Sequence, residues 1–279
     1  MNIDDDAISI RRILVALDAS MQSQAALDAA AELASRWHAE LRGLFVEDVN
    51  LIKMADLPFA REIYSHSATV EAFDVRSLER ALKVRAEQAR QVLVRAAERA
   101  KVPSSFRVVR GEVTTELLAA ASEADLLILG KHSRPFARVG RLGSSALASA
   151  TRARRALFVQ PGAESMNRVL AVYDGSPVAK DALTLGVSLA DALNASLVVL
   201  IPAKAYETAQ ALKNRAVELV GAVQARTRFR SLPRLNAMSL VRAAQSEDGA
   251  VLILSRESLN SEEGIAELIR DIESPVLLV

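Results

Sequence analysis

Short uninterrupted apolar runs alternate along this chain with longer stretches in which apolar residues recur every three or four positions. "RRILVALD" at residues 11–18 reads as a strand buried on both faces of a parallel sheet. "SQAALDAAAELASRWHA" follows with alanine and leucine at helical spacing, and Ser20 or Ser23 is positioned to cap it. "ELRGLFVED" is a second strand. From Val75 to Lys101 the apolar positions Leu78, Leu82, Ala89, Val92 and Ala96 predict a long amphipathic helix, which Pro103 is expected to stop. "FRVVRG", "DLLILG" and "RALFVQ" are three further strands, with helices predicted over "EVTTELLAAASEA" and "SSALASATRA" between them. Strands alternating with helices through right-handed crossovers build a doubly wound parallel sheet.

The pattern then repeats. "RILVALDAS" at 12–20 returns as "RVLAVYDGS" at 168–176, 156 positions on, and the spacing persists through Ala26 and Ala182, Leu33 and Leu189, Ala39 and Ala195, and Leu44 and Leu200. "ADLLILG" (124–130) returns as "GAVLILS" (249–255) at a spacing of 125, and "ALFV" (156–159) as "VLLV" (276–279) at 120. The second copy therefore lacks 31 residues in its middle and 5 more before its last strand. The fold class that follows is α/β, with two five-stranded doubly wound domains in tandem, 10–161 and 167–279, joined by "PGAESMN". Residues 51–74 have no counterpart in the second copy; their mix of apolar and charged residues suits a lid or a partner surface, and a loop with a short helix packed on the first domain is the plainer expectation.

Composition narrows the function classes. With 51% hydrophobic and 25% charged residues, the 279-residue chain has the balance of a soluble globular protein with a substantial core. A net charge of +1 gives no global field to recruit nucleic acid or an anionic membrane, and 4% aromatic content offers little base-stacking surface. There is no cysteine, which excludes disulfides, thiolate nucleophiles and thiolate metal sites. "MNIDDDAISI" has no basic region leading into an apolar core, so no signal peptide is expected, and no apolar run approaches the roughly 20 residues that span a bilayer. A cytoplasmic protein is the expectation. His38, His66 and His132 have no partners at metal-ligand spacing.

In a doubly wound sheet, ligands sit beyond the carboxyl ends of strands near the switch in strand order. That rule singles out the turns at Asp18–Ser20, at Val46–Asp48, and in "GKHSRPFARVGRLGSS" (130–145). Gly130 ends the fourth strand of the first copy, where a missing Cβ lets backbone approach a ligand. Gly143 precedes Ser144 and Ser145 at a helix start, whose free N–H groups and partial positive charge suit a phosphate. Lys131, Arg134, Arg138 and Arg141 add positive potential. A plainer account has Ser144 capping its helix, the arginines solvating a loop and Asp18 making an Asx turn.

This stretch resembles the nucleotide loop of the universal stress protein family, whose ATP-binding members carry Gly, two residues, Gly, nine residues, Gly, then Ser or Thr. Here the register is Gly130, two residues, Ser133, nine residues (134–142), Gly143, Ser144. "ILVALDAS", "ADLLILGKHS" and "RRALFVQPG" also look like the family's first, fourth and last strands, and the likeness covers both halves. The resemblance implies a Rossmann-like fold of the adenine nucleotide alpha hydrolase type. It implies ATP, with Mg, as cofactor of the first domain. Ala16 would line the adenine pocket, Asp18 touch the nucleotide and Val46 meet the adenine edge through its backbone, while Gly130, Ser133, Gly143, Ser144 and Ser145 would contact ribose and phosphates. Ser133 departs from the family glycine. If that position requires a left-handed backbone, serine there costs about 1 kcal/mol, roughly tenfold in affinity.

The second copy keeps Asp174, Gly175 and Ser176, but Gly130 has become Ser255, and Glu257, Glu262 and Glu263 stand where phosphate would lie. That half is expected not to bind. In this family, paired domains associate through their last strands, so "ALFV" and "VLLV" imply an internal pseudo-dimer, with a homodimer of chains also open. Three functions stay in play: a nucleotide-responsive regulatory module of the stress-response type, an interaction protein of the same fold without nucleotide, and a slow ATPase with Asp18 as its one candidate base.

Overall fold

A computed structural model describes residues 9–57, 61–63, 70–72, 75–131, 152–162, 166–259 and 261–279. The first half runs β1 (Arg12–Ala16), α1 (Met21–Trp37), β2 (Glu40–Asp48), α2 (Val49–Ala55), β3 (Arg61–Ile63), β4 (Val70–Ala72), α3 (Val75–Ala100), β5 (Ser104–Gly111), α4 (Val113–Ser122), β6 (Leu126–Gly130) and β7 (Ala156–Val159). The second half runs β8 (Arg168–Val172), α5 (Pro177–Ala192), β9 (Ser196–Ile201), α6 (Tyr206–Val220), β10 (Thr227–Ser231), α7 (Ala237–Gln245), β11 (Ala250–Leu254), α8 (Glu262–Asp271) and β12 (Val276–Leu278). The helix expected over "SSALASATRA" lies outside the described residues.

Ten of these strands form one sheet in the order β10-β9-β8-β11-β12-β7-β6-β1-β2-β5. Within each half the pairing is parallel, and the first strand lies between the second and the fourth, so the order reverses direction between β1 and β6 and between β8 and β11. β7 and β12 join the halves in an antiparallel pair, with Val276 opposite Phe158, Leu277 opposite Leu157 and Leu278 opposite Ala156. The alternation of side chains explains why both faces need cover. Ile13, Val15, Ile128, Leu157 and Leu277 pack under α1, α3, α5 and α6, while Leu14, Leu127, Phe158, Leu252 and Leu278 pack under α4, α7 and α8. Each of these two cores passes through the seam without a break.

The exposed edge strand β5 is held by charge: Arg110 on β5 reaches the buried Glu47 on β2 at 2.8 Å and Glu79 on α3 at 3.1 Å. Two details differ from the sequence pattern. Residues 51–74, expected as a loop with a short helix, contribute α2 and also an antiparallel ladder that pairs Arg61 with Ala72 and Ile63 with Val70. The end of α3 is set before Pro103, by Lys101 in the left-handed region at φ 56°, with the Val102 N–H returning to the Ala97 carbonyl at 3.1 Å. His38 closes α1 in the same way at φ 54°, so its role is a helix cap.

Candidate functional site

The turn after β1 is built from three consecutive local devices. Asp18 Oδ1 accepts the Ser20 N–H at 3.0 Å, Ala19 takes the left-handed region at φ 63°, and Ser20 caps α1 by accepting the Ser23 N–H at 3.1 Å. The Asx turn anticipated as the plain role of Asp18 is therefore present, and it occupies one carboxylate oxygen. The second half repeats it: Asp174 accepts the Ser176 N–H at 2.9 Å, and Gly175 stands in the left-handed position at φ 86°. A turn shared by both halves does not by itself distinguish a binding site.

The cleft beside that turn does. β1 ends at Ala16, paired with Leu44, whereas β2 continues to Asp48. Val46 consequently keeps a strand neighbour only on the β5 side, opposite Val109. The space beyond β1 is an open-mouthed cleft with about 70 Å³ of room. Ala16, Asp18, Val46 and Gly130 all line it, drawn from β1, β2 and β6 at the switch in strand order. Its floor and sides are apolar, from Leu44, Val113, Leu117 and Leu129, and its rim is polar, from Asp18, Ser20, Gln22 and Ser23. Asp18 is the single carboxylate among the described residues that line it. Ser133, Gly143, Ser144 and Ser145 lie outside the described residues. Val113 and Leu117 are cleft residues that the strand-end rule passes over. Their signal is that α4 starts within two residues of the end of β5, which puts its first turn at the same end of the sheet.

At the corresponding place in the second half the residues are larger. Val172 replaces Ala16 and is fully buried, Tyr173 replaces Leu17 and is buried, and Ser255 replaces Gly130 with its hydroxyl 2.8 Å from that of Ser258. Helix α8 has its N-terminal N–H groups served by the chain itself, Ser261 accepting from the Gly264 N–H, and carries Glu262 and Glu263 in its first turn.

Gly130 and Lys131, the two described residues of the 130–145 stretch, are both held by contacts within the chain. A Cβ on Gly130 would stand 2.3 Å from the Gln22 carbonyl oxygen and 2.5 Å from its carbon, so the glycine is required by the backbone of α1. Lys131, expected to add charge for phosphate, is buried and turned away. Its Nζ donates to the carbonyls of Ile272 and Ser274 in the second half, the latter at 3.2 Å. The Ile272 carbonyl is at the C-cap of α8 and has no further helical turn to serve it, and the Ser274 carbonyl lies in the connection that leads to β12.

Burial pulls the Lys131 amine down from the usual lysine range to about 8, against the opposing attraction of Glu273. The folded-state value is thus below the unfolded one. Under pH 8 both states hold the proton and the penalty is complete, whereas between about pH 8 and 10.5 the unfolded chain holds a proton that the folded one has released. Stability of the wild type relative to Lys131→Met is therefore expected to rise with pH across that window, by about 2–3 kcal/mol. Paired urea titrations from pH 7 to 10.5 measure this, and a flat difference contradicts it.

Fold and cleft together define a doubly wound α/β protein with a cleft at the switch point of its first half, lined differently from the equivalent place in its second. Residues 9–159, more than half of the chain, match the model of the universal stress protein family, and the chain belongs to that family. A universal stress protein from Archaeoglobus fulgidus DSM 4304 shares the fold over 98% of this chain and 97% of its own, with a TM-score of 0.76 at 15% identity. A functionally unknown protein from Pseudomonas aeruginosa PAO1 aligns over 98% and 93%, with a TM-score of 0.60 at 16% identity. The cytoplasmic domain of a prokaryotic cation chloride cotransporter aligns over 96% and 95%, with a TM-score of 0.52 at 14% identity. These likenesses are of fold. No curated protein matches the chain. Among the described residues no helix is long and apolar enough to cross a membrane, and no cluster of His, Asp or Glu is arranged to hold a metal ion.

Proposed function

We propose that the first half binds an adenine nucleotide, ATP with Mg, in the cleft at the ends of β1, β2 and β6, and that the chain works as a nucleotide-responsive regulatory module. The observation that carries this reading is the cleft itself, with the apolar side chains of Ala16, Val46, Val113, Leu117 and Leu129 on its walls and Asp18 at its rim. A purine fits such a cleft by burying its faces against aliphatic side chains, while ribose hydroxyls meet the carboxylate oxygen that the Asx turn leaves available. Gly130, Ser133, Gly143, Ser144 and Ser145 are assigned to ribose and phosphates on this reading. Binding is assigned to the first half alone, because Ser255 stands in the place of Gly130 with its hydroxyl bonded to Ser258, and the acids of α8 oppose phosphate.

Titration calorimetry with Mg-ATP at tens of micromolar protein is expected to give one site per chain. Asp18→Ala lowers the affinity about 10- to 100-fold, the worth of a hydrogen bond to a charged group. Asp174→Ala removes the identical turn from the second half and leaves the affinity unchanged. Equal losses in both variants would reduce Asp18 to a turn residue, and the absence of heat with the wild type sinks the nucleotide reading in favour of an interaction protein.

A further inference from the structure

The two residues that follow the fourth strand of each half, Lys131 after Gly130 and Arg256 after Ser255, occupy equivalent positions in the repeat, and the structure treats them alike. Each extends its strand by one backbone bond to the last residue of its own half's final strand segment: Lys131 N–H to the Val159 carbonyl at 2.7 Å, Arg256 N–H to the Val279 carbonyl at 3.2 Å. Each then sends its side chain across the β7–β12 seam. Lys131 Nζ donates to Ile272 and Ser274 carbonyls, and the Arg256 guanidinium donates to the Ala153 and Arg154 carbonyls, the last at 3.4 Å. Ser274 and Arg154 are themselves equivalent, each two residues ahead of its half's last strand. The result is a reciprocal clasp in which each half's fourth strand is tied to the connection that enters the other half's fifth.

We propose that Lys131 couples the first-half cleft to the second half: Gly130 forms part of the cleft wall, Lys131 is the next residue, and a ligand bearing on that wall acts on α8 and β12 through the Lys131 side chain. This rests on the nucleotide reading above. The end of β6 has little freedom to absorb such a displacement locally. On one side Gly130 lies against the Gln22 carbonyl of α1, and on the other the Lys131 amine is fixed to the α8–β12 connection. Removing the amine leaves both carbonyls without that donor, which is what ties β6 to the α8–β12 connection. The second half, whose acids in α8 oppose phosphate, is on this view the part that reports occupancy. Lys131 is a positioning residue and Arg256 its counterpart in the opposite direction.

Hydrogen exchange on the full chain, with and without Mg-ATP, tests the coupling. In the wild type ATP is expected to slow exchange about five- to tenfold both around the cleft and over residues 262–279, the size of an ordinary coupling between sites. With Lys131→Met, which keeps the length of the stem, protection by ATP is confined to the first half. Lys131→Arg, which restores a donor to the carbonyls, restores the response. A merely structural lysine alters exchange in the absence of ATP but not its dependence on ATP. If ATP binds and protects the first half of the wild type while 262–279 is unmoved, the coupling is wrong and the nucleotide reading stands. The same holds if Lys131→Met retains the distant protection. If the wild type binds no ATP, both are overturned.

Discussion

Replacing Gly130 by serine, the residue that its counterpart position carries as Ser255, is expected to destabilise the protein by about 3 kcal/mol and to abolish ligand binding in the first half. The added Cβ meets the Gln22 carbonyl oxygen at 2.3 Å, and these are backbone atoms that no rotamer change can move aside. The first turn of α1 has to retreat, and that turn carries the Ser20 cap and the cleft residues Gln22 and Ser23. Urea denaturation and Mg-ATP titration of the same variant measure both effects. The result separates two accounts of one glycine. If Gly130 served only to admit a ligand, the substitution would weaken binding and leave stability within about 0.5 kcal/mol of wild type, as surface changes do. The reverse change, Ser255→Gly, removes one hydroxyl contact to Ser258 and is expected to cost about 1 kcal/mol.

Much of the fold was legible because it depends on local periodicity and on repetition. "RILVA", "LLILG" and "ALFV" are continuous apolar runs since both of their faces are covered, and the second copy supplied an independent reading of the same plan. The grouping of Ala16, Asp18, Val46 and Gly130 at one cleft follows from strand order, which the alternation of strands and helices constrains. What the sequence hid is what depends on distance between remote segments. A lysine in a run of basic residues reads as a phosphate ligand, yet Lys131 finds its acceptors 141 and 143 positions away. A glycine after a strand reads as room for a ligand, yet the atoms it makes room for belong to Gln22. The helix end at Lys101 was obscured for a local reason: a left-handed cap on a non-glycine residue leaves no compositional mark, whereas Pro103 is conspicuous.

The seam between the halves carries the second large effect. Leu157 and Leu277 face each other across the antiparallel pair of β7 and β12, each 1% exposed, and both belong to the core that runs beneath α1, α3, α5 and α6. Truncating either to alanine removes three carbon atoms from a region covered on all sides, so Leu157→Ala and Leu277→Ala are each expected to cost about 3 kcal/mol. The two share one contact, and the double variant is therefore expected to lose about 1 kcal/mol less than the sum. Their larger consequence is for cooperativity. The single tryptophan, Trp37, ends the first-half helix α1, whereas far-ultraviolet dichroism reports helices of both halves. With the core continuous through the seam, the wild type is expected to unfold in one transition, the same by both probes. Cavities placed on either side of the strand pair weaken the link between halves that are otherwise complete five-stranded units. In the double variant the Trp37 signal and the dichroism should separate into two transitions. Coincident transitions in that variant would show that the clasp of Lys131 and Arg256, with the second core beneath α4, α7 and α8, joins the halves without the leucine pair.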